Sequence, residues 1–251
     1  MTSIGVVLGI SLAVLVVHNL GVERLSAALY VPACLATTGA LLALAGAAGI
    51  GGDEIGVSAA GLGVGSVAGV AVAVVVVSGG LLPVTRPLFA DRRMAGVGPL
   101  GTAYRALVRV PMGTVVLEEV AFRGVLLVLL DRLVPTGWAV AGSSLLFGVW
   151  HVVPMVATLR TNGLAVRPRS LGAAVVATGI VATGIAGAGF CWLRLSTGGL
   201  VAPMIVHASV SATATVVAAV ALRQAGRSGA GSGAGGPIDR QFPWEPVGRS
   251  H

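Results

Sequence analysis

The chain has 251 residues, of which 55% are hydrophobic, 10% charged and 4% aromatic, with a mean hydropathy of +0.95. A soluble domain carries about a quarter charged residues and a disordered chain far fewer apolar ones, so both classes are excluded, as is a collagen-like chain despite 38 glycines. What remains is an all-α polytopic transmembrane helical bundle: at roughly 20 apolar residues per crossing there is room for about six to eight helices and no sizeable extramembrane domain. The net charge of +7 comes from 16 arginines without a lysine. In a membrane chain such residues mark the cytoplasmic side, so the lipid bilayer, and no nucleic acid, is the expected partner. Cys34 and Cys191 lie far apart in apolar runs and read as small buried hydrophobes.

In chain order, the first apolar run, 4–20, has no basic residue ahead of it and is expected to be a retained membrane helix and not a signal peptide. A second run covers 25–50, and the glycine-rich, polar stretch 53–66 becomes a loop. The third span, 67–89, is weakened by Gly79, Gly80 and Pro83. Arg86, Arg92, Arg93, Arg105 and Arg109 then face Asp91 alone, which marks a cytoplasmic loop. The remaining spans are 112–134, 138–159, 171–193 and 200–222. Strict alternation of these seven spans leaves thirteen arginines inside, Arg132 and Arg194 outside and Arg123 within a span, with the N-terminus outside and the C-terminus cytoplasmic. The organisation is therefore N-terminal membrane helices and a basic loop (1–111), a core (112–222), and a Gly/Ser- and Pro-containing tail (223–251) that cannot bury enough apolar surface to fold alone.

Ionisable groups inside a span are costly unless paired or wetted, so each is a functional candidate. The fourth span carries Glu118, Glu119 and Arg123, the fifth His151, and the seventh His207 and Ser211. His18, beside Asn19 at the end of the first span, has an interfacial role as its plain explanation. Residues four apart share a helix face, so Glu119 can pair with Arg123, Phe147 can pack on His151 and His207 can align with Ser211. Glu118 points about 100° away from Glu119. The simplest division makes Glu119 and Arg123 a structural pair and leaves Glu118 free to face a polar cavity.

E-E-x-x-x-R at Glu118–Arg123, F-x-x-x-H at Phe147–His151 and a later His207, each on its own span and in this order, resemble the three motifs of the CPBP family. That family contains the CAAX prenyl endopeptidases and bacterial proteins linked to bacteriocin processing and self-immunity. The resemblance implies an intramembrane endopeptidase of a bacterial cytoplasmic membrane that cleaves a membrane-associated peptide or protein with a glutamate-activated water. Glu118 would be the general base with His151, and His207 the donor to the oxyanion, supported by Glu119, Arg123 and Phe147. The family usually has Asn or Asp four residues after the last His, where this chain has Ser211; its hydroxyl can donate but with a shorter reach. One Glu and two His also match a hydrolytic zinc set, so zinc is a candidate cofactor beside metal-independent catalysis. A non-catalytic scaffold or self-immunity protein is the alternative that tolerates Ser211. A proton-coupled transporter would bring paired broken helices or inverted repeats, which the sequence lacks.

The topology is tested by reporter fusions. A reporter at the C-terminus is expected to read cytoplasmic and one in the 53–66 loop external; the opposite pattern overturns the orientation.

Overall fold

The computed structural model describes residues 3–89, 91–163 and 169–231; Arg167 and residues 232–251 of the expected tail lie outside them. The described residues form helices and the turns between them, with no strand, the arrangement in which an apolar segment satisfies its own amides without water. The helices are α1 (Ile4–Gly21), α2 (Ala27–Ala47), α3 (Leu62–Leu81), α4 (99–131), α5 (Thr136–Trp150), α6 (Val152–Thr161), α7 (Arg169–Thr197) and α8 (Val201–Gly231). Six segments among the described residues are long and apolar enough to cross a membrane: Ile4–Gly21, Ala27–Ala47, Leu62–Leu81, Thr136–Thr161, Gly172–Thr197 and Val201–Gln224. The remaining expected span belongs to α4, whose apolar run carries Glu118, Glu119 and Arg123.

Several boundaries differ from the sequence reading, most of them for a local reason. The third span begins and ends early. The chain enters α3 through Gly61 at φ +83°, a conformation that glycine adopts without penalty, and leaves it at Leu82, which is extended because Pro83 follows. α4 starts at Pro99, well before residue 112, since proline at the first helical turn loses no needed donor. Arg105 and Arg109 are therefore helical and not part of a loop. Within α4 the stretches Arg105–Val115 and Glu119–Leu126 are wound as π-helix, and the first contains Pro111, whose ring would crowd the Leu107 carbonyl in a regular α-helix. The fifth span is broken between α5 and α6, because Pro154 has no N–H to offer the Trp150 carbonyl. That carbonyl accepts instead from Asn19 Nδ2 at 3.0 Å. α8 continues past Leu222 to Gly231, into what the sequence assigned to the tail.

α4 is the central helix, in contact with α1, α2, α5, α7 and α8, and its residues 117–127 are all buried. Around it α3 packs along α8 and α5 along α7. Both pairs depend on backbones approaching closely across small residues: a Cβ at Gly65 would stand 2.7 Å from Ala202 Cα, and one at Gly148 would stand 2.5 Å from the Ile180 carbonyl oxygen.

The two ends of the bundle are tied differently. At one end Glu54 pairs with Arg132, and buried Arg194 donates to the carbonyls of Glu54 at 2.8 Å and Ile55 at 3.2 Å. The two arginines that break the charge asymmetry are thus both held by one turn, Gly52–Ile55. Arg132, then the Gly51 amide, hold the exposed Glu54 carboxyl below its usual range. At the other end the Arg92 amide donates to Asn162 (2.8 Å), Arg105 to the Arg93 carbonyl (3.1 Å) and Arg223 to the Val97 carbonyl (3.3 Å). This grouping of loops is the one that strict alternation requires.

Gly148→Ala is expected to lower the midpoint of thermal unfolding in detergent, by an overpacking cost of about 1–3 kcal/mol, because the Ile180 backbone cannot step aside as a flexible side chain can. Gly189→Ala on α7, where a Cβ meets nothing within 4 Å, should leave the midpoint unchanged. Equal effects would refute the close α5–α7 approach.

Candidate active site

Glu118 and Glu119 are successive residues of α4, and the helix turns their carboxylates towards different neighbours. Trp150 Nε1 donates to Glu118 Oε1 at 2.9 Å. The other oxygen, Oε2, is buried without a hydrogen-bond partner among the described residues and lies 3.7 Å from His207 Nε2 and 4.0 Å from His151 Nε2. The imidazoles are oriented from behind. His151 Nδ1 is 2.8 Å from the Phe147 carbonyl, which only accepts, so Nδ1 carries the hydrogen and Nε2 is turned to Glu118. His207 Nδ1 donates to Glu119 Oε1 at 2.8 Å, and its Nε2 likewise faces Glu118. The gaps of 3.7 and 4.0 Å exceed a direct hydrogen bond and lie within the span of one shared water.

Glu119 Oε1 also accepts from Arg123 at 3.1 Å, with both side chains fully buried. The pair expected from the sequence is thus a three-membered group, Arg123–Glu119–His207. The Arg123 guanidinium lies 3.8 Å from the centre of the Phe147 ring and 4.9 Å from that of Phe190, so aromatic faces solvate the cation where water cannot. The same rings fix the histidines: Phe147 meets His151 edge-on at 4.6 Å, and Phe190 stacks on His207 at 5.2 Å.

A cavity of about 840 Å³ reaches Glu118, His151, Trp150 and Ser211. His207, 7% exposed, stands behind Glu118. Ser211 is half-buried on α8, one turn past His207. The outer part of the cavity is lined by Asp91, Arg93, Arg105 and Arg109. Burial alone would raise the Asp91 carboxyl, but hydrogen bonds from the Arg93 side chain and amide, helped by Asn162, outweigh it and hold Asp91 below its usual range.

Three contributors were not singled out from the sequence. Trp150 adjoins His151, and its indole could have been read as a donor. Phe190 sits in an unmarked apolar run. The first helix, given no motif, sends His18 and Asn19 into the cavity wall: His18 is 2.8 Å from Thr37 Oγ1, 3.8 Å from Cys34 Sγ and stacked on Trp150 at 6.1 Å between centres. His18 therefore lines the cavity. Among the described residues no group of three His, Cys, Asp or Glu side chains is disposed to hold a metal ion.

Arg123→Ala should reduce folded protein sharply, since an unpaired buried carboxylate costs about 3–5 kcal/mol. Adding Glu119→Gln removes that charge, and the double variant is expected to regain part of the lost abundance and thermal stability. A double variant no better than Arg123→Ala would show that the ion pair is not what the fold requires.

Residues 101–213 match the family model of the Rce1-like type II CAAX prenyl endopeptidases, a segment that starts in α4 ahead of Glu118 and ends in α8 beyond Ser211. No curated protein and no solved structure matches the chain.

Proposed function

Since residues 101–213 match the family model of the Rce1-like type II CAAX prenyl endopeptidases, we propose that this chain is an intramembrane endopeptidase in which Glu118 activates a water against a peptide bond of a membrane-associated substrate. The observation that carries this reading is the Glu118 carboxylate, with one oxygen anchored by Trp150 at 2.9 Å and the other facing two histidine Nε2 atoms at 3.7 and 4.0 Å, at the wall of a cavity.

In the proposed reaction Glu118 Oε2 takes a proton from water as the oxygen attacks the scissile carbonyl. His151 Nε2, with its hydrogen committed on the far side of the ring to Phe147, accepts from the same water and fixes its direction. Charge develops on the carbonyl oxygen. His207 in its doubly protonated form presents Nε2–H to that oxyanion, and Glu119 balances the imidazolium through Nδ1; loss of one such donor typically costs about 100 to 1000-fold in rate. The Glu118 carboxyl then returns its proton to the leaving nitrogen as the C–N bond breaks, giving a new carboxylate and a free amine. The side chains carry every step without a metal. Ser211, half-buried on the cavity wall, stands where the family usually has an amide or carboxyl side chain and serves as a weaker second donor. That substitution also favours the second reading, a member that keeps the helices and no longer turns over.

Glu118→Gln should abolish cleavage by purified, reconstituted protein at unchanged abundance. Ser211→Asn should raise turnover and Ser211→Ala lower it, each by about one order of magnitude and less than the loss from His207→Ala. Turnover equal in wild type and both Ser211 variants removes Ser211 from the mechanism. Its absence in all of them, beside an active family member, supports the non-catalytic reading.

A further inference from the structure

One peptide unit carries partners for both oxygens of Glu118. Trp150, whose indole donates to Oε1 at 2.9 Å, and His151, whose Nε2 stands 4.0 Å from Oε2, are adjacent in the chain. The peptide group that joins them lies at the break between α5 and α6. Its N–H donates to the Gly148 carbonyl at 3.2 Å. Its carbonyl, that of Trp150, finds no amide hydrogen at Pro154. Asn19 supplies the missing donor at 3.0 Å, from the last turn of α1 in the cavity wall. The preceding residue, His18, holds the indole itself: its ring lies within 15° of parallel to that of Trp150 at 6.1 Å between centres, and Phe122 meets the indole edge-on at 5.7 Å. His18 is in turn tied to α2, 2.8 Å from Thr37 Oγ1. A polar pair at the end of a membrane helix is ordinarily accounted for by the interface. These two are turned inward, and both converge on the residue that anchors the base.

We propose that Asn19 and His18 are positioning residues of the site: Asn19 fixes the plane of the Trp150–His151 peptide, His18 fixes the indole, and together they hold Glu118 in register with its partners. This assignment rests on the endopeptidase reading. It makes α1, which lies outside residues 101–213, part of the catalytic unit. The physical reason is the demand of a carbonyl for a donor where little water reaches it. Without Asn19 the Trp150 carbonyl finds a new partner only by turning towards the cavity. The peptide is planar, so that turn changes ψ of Trp150 and φ of His151 together. The indole N–H and the imidazole Nε2 then leave the two Glu118 oxygens at once. A misplacement of about 1 Å costs on the order of 100-fold in rate, so a bond remote from the reacting atoms reaches the chemistry through geometry alone. His207, held by Glu119 at 2.8 Å, is not reached by these contacts.

Trp150 itself is the reporter. In full-length protein labelled with ¹⁵N-tryptophan in phosphatidylcholine nanodiscs, its indole N–H resonance is assigned with Trp150→Phe, and its position without the acceptor is set by Glu118→Ala. Asn19→Ala, and Asn19→Leu, which keeps the shape and loses the donor, are expected to move the resonance towards that of Glu118→Ala. In the same variants, kcat for hydrolysis of a farnesylated decapeptide ending in Cys-Val-Ile-Ala should fall about tenfold to a hundredfold with KM within about twofold. Asn19→Gln, which keeps a donor, should retain part of both signals. His18→Ala is expected to act in the same direction, and His18→Phe, which keeps a flat ring, to lie nearer wild type; this pair decides the matter where the Asn19 variants do not fold. An unmoved resonance overturns the assignment even where the melting temperature falls, because a residue that only ties α1 to the bundle lowers stability and nothing else. The resonance is read without turnover, so the two readings fail separately. A resonance that follows Asn19 in protein that cleaves nothing keeps the positioning and refutes hydrolysis. Cleavage with kcat unchanged in the Asn19 variants refutes the positioning and leaves hydrolysis standing.

Discussion

Arg123 is 1% exposed in the middle of the central helix, so a full positive charge has to be compensated by whatever the protein places around it. The compensation comes from Glu119 on one side and from the faces of Phe147 and Phe190 on the others. This arrangement dictates much of the remaining architecture. α5 and α7 must approach α4 closely enough to deliver both rings, which explains why glycine occupies the α5–α7 contact at Gly148. α8 then places His207 on Glu119 Oε1, the same oxygen that Arg123 reaches.

The same constraint separates two carboxylates that the sequence sets side by side. Glu119 binds both Arg123 and His207 through Oε1, whereas Glu118 meets Trp150 through Oε1 and turns its unbonded Oε2 to both imidazoles. The different surroundings of the two neighbours thus follow from which of them the buried arginine reaches.

Much of this was legible in the sequence because helices in a membrane obey simple periodicity. Glu119 and Arg123, four apart, meet on one face; Phe147 and His151, four apart, meet edge-on. The order of spans gave the helices that converge. What periodicity cannot reach is contact between helices with no motif. The bond from Asn19 to the Trp150 carbonyl links α1 to the break before α6, and it arises from a missing amide at Pro154 whose consequence appears only once α1 is docked. The extension of α4 back to Pro99 was hidden for a different reason: a basic segment read as a loop is helical because neighbouring elements supply partners for its arginines.

The claim at the centre of this account is that Glu118 drives peptide hydrolysis inside the membrane. Membranes containing wild-type protein and membranes containing Glu118→Ala at matched abundance can be compared by mass spectrometry of the peptides they release in ¹⁸O-labelled water. The account predicts peptide fragments with one new, labelled carboxylate in the wild-type sample and none of these fragments in Glu118→Ala. The same labelled fragments at equal yield in both samples would contradict it.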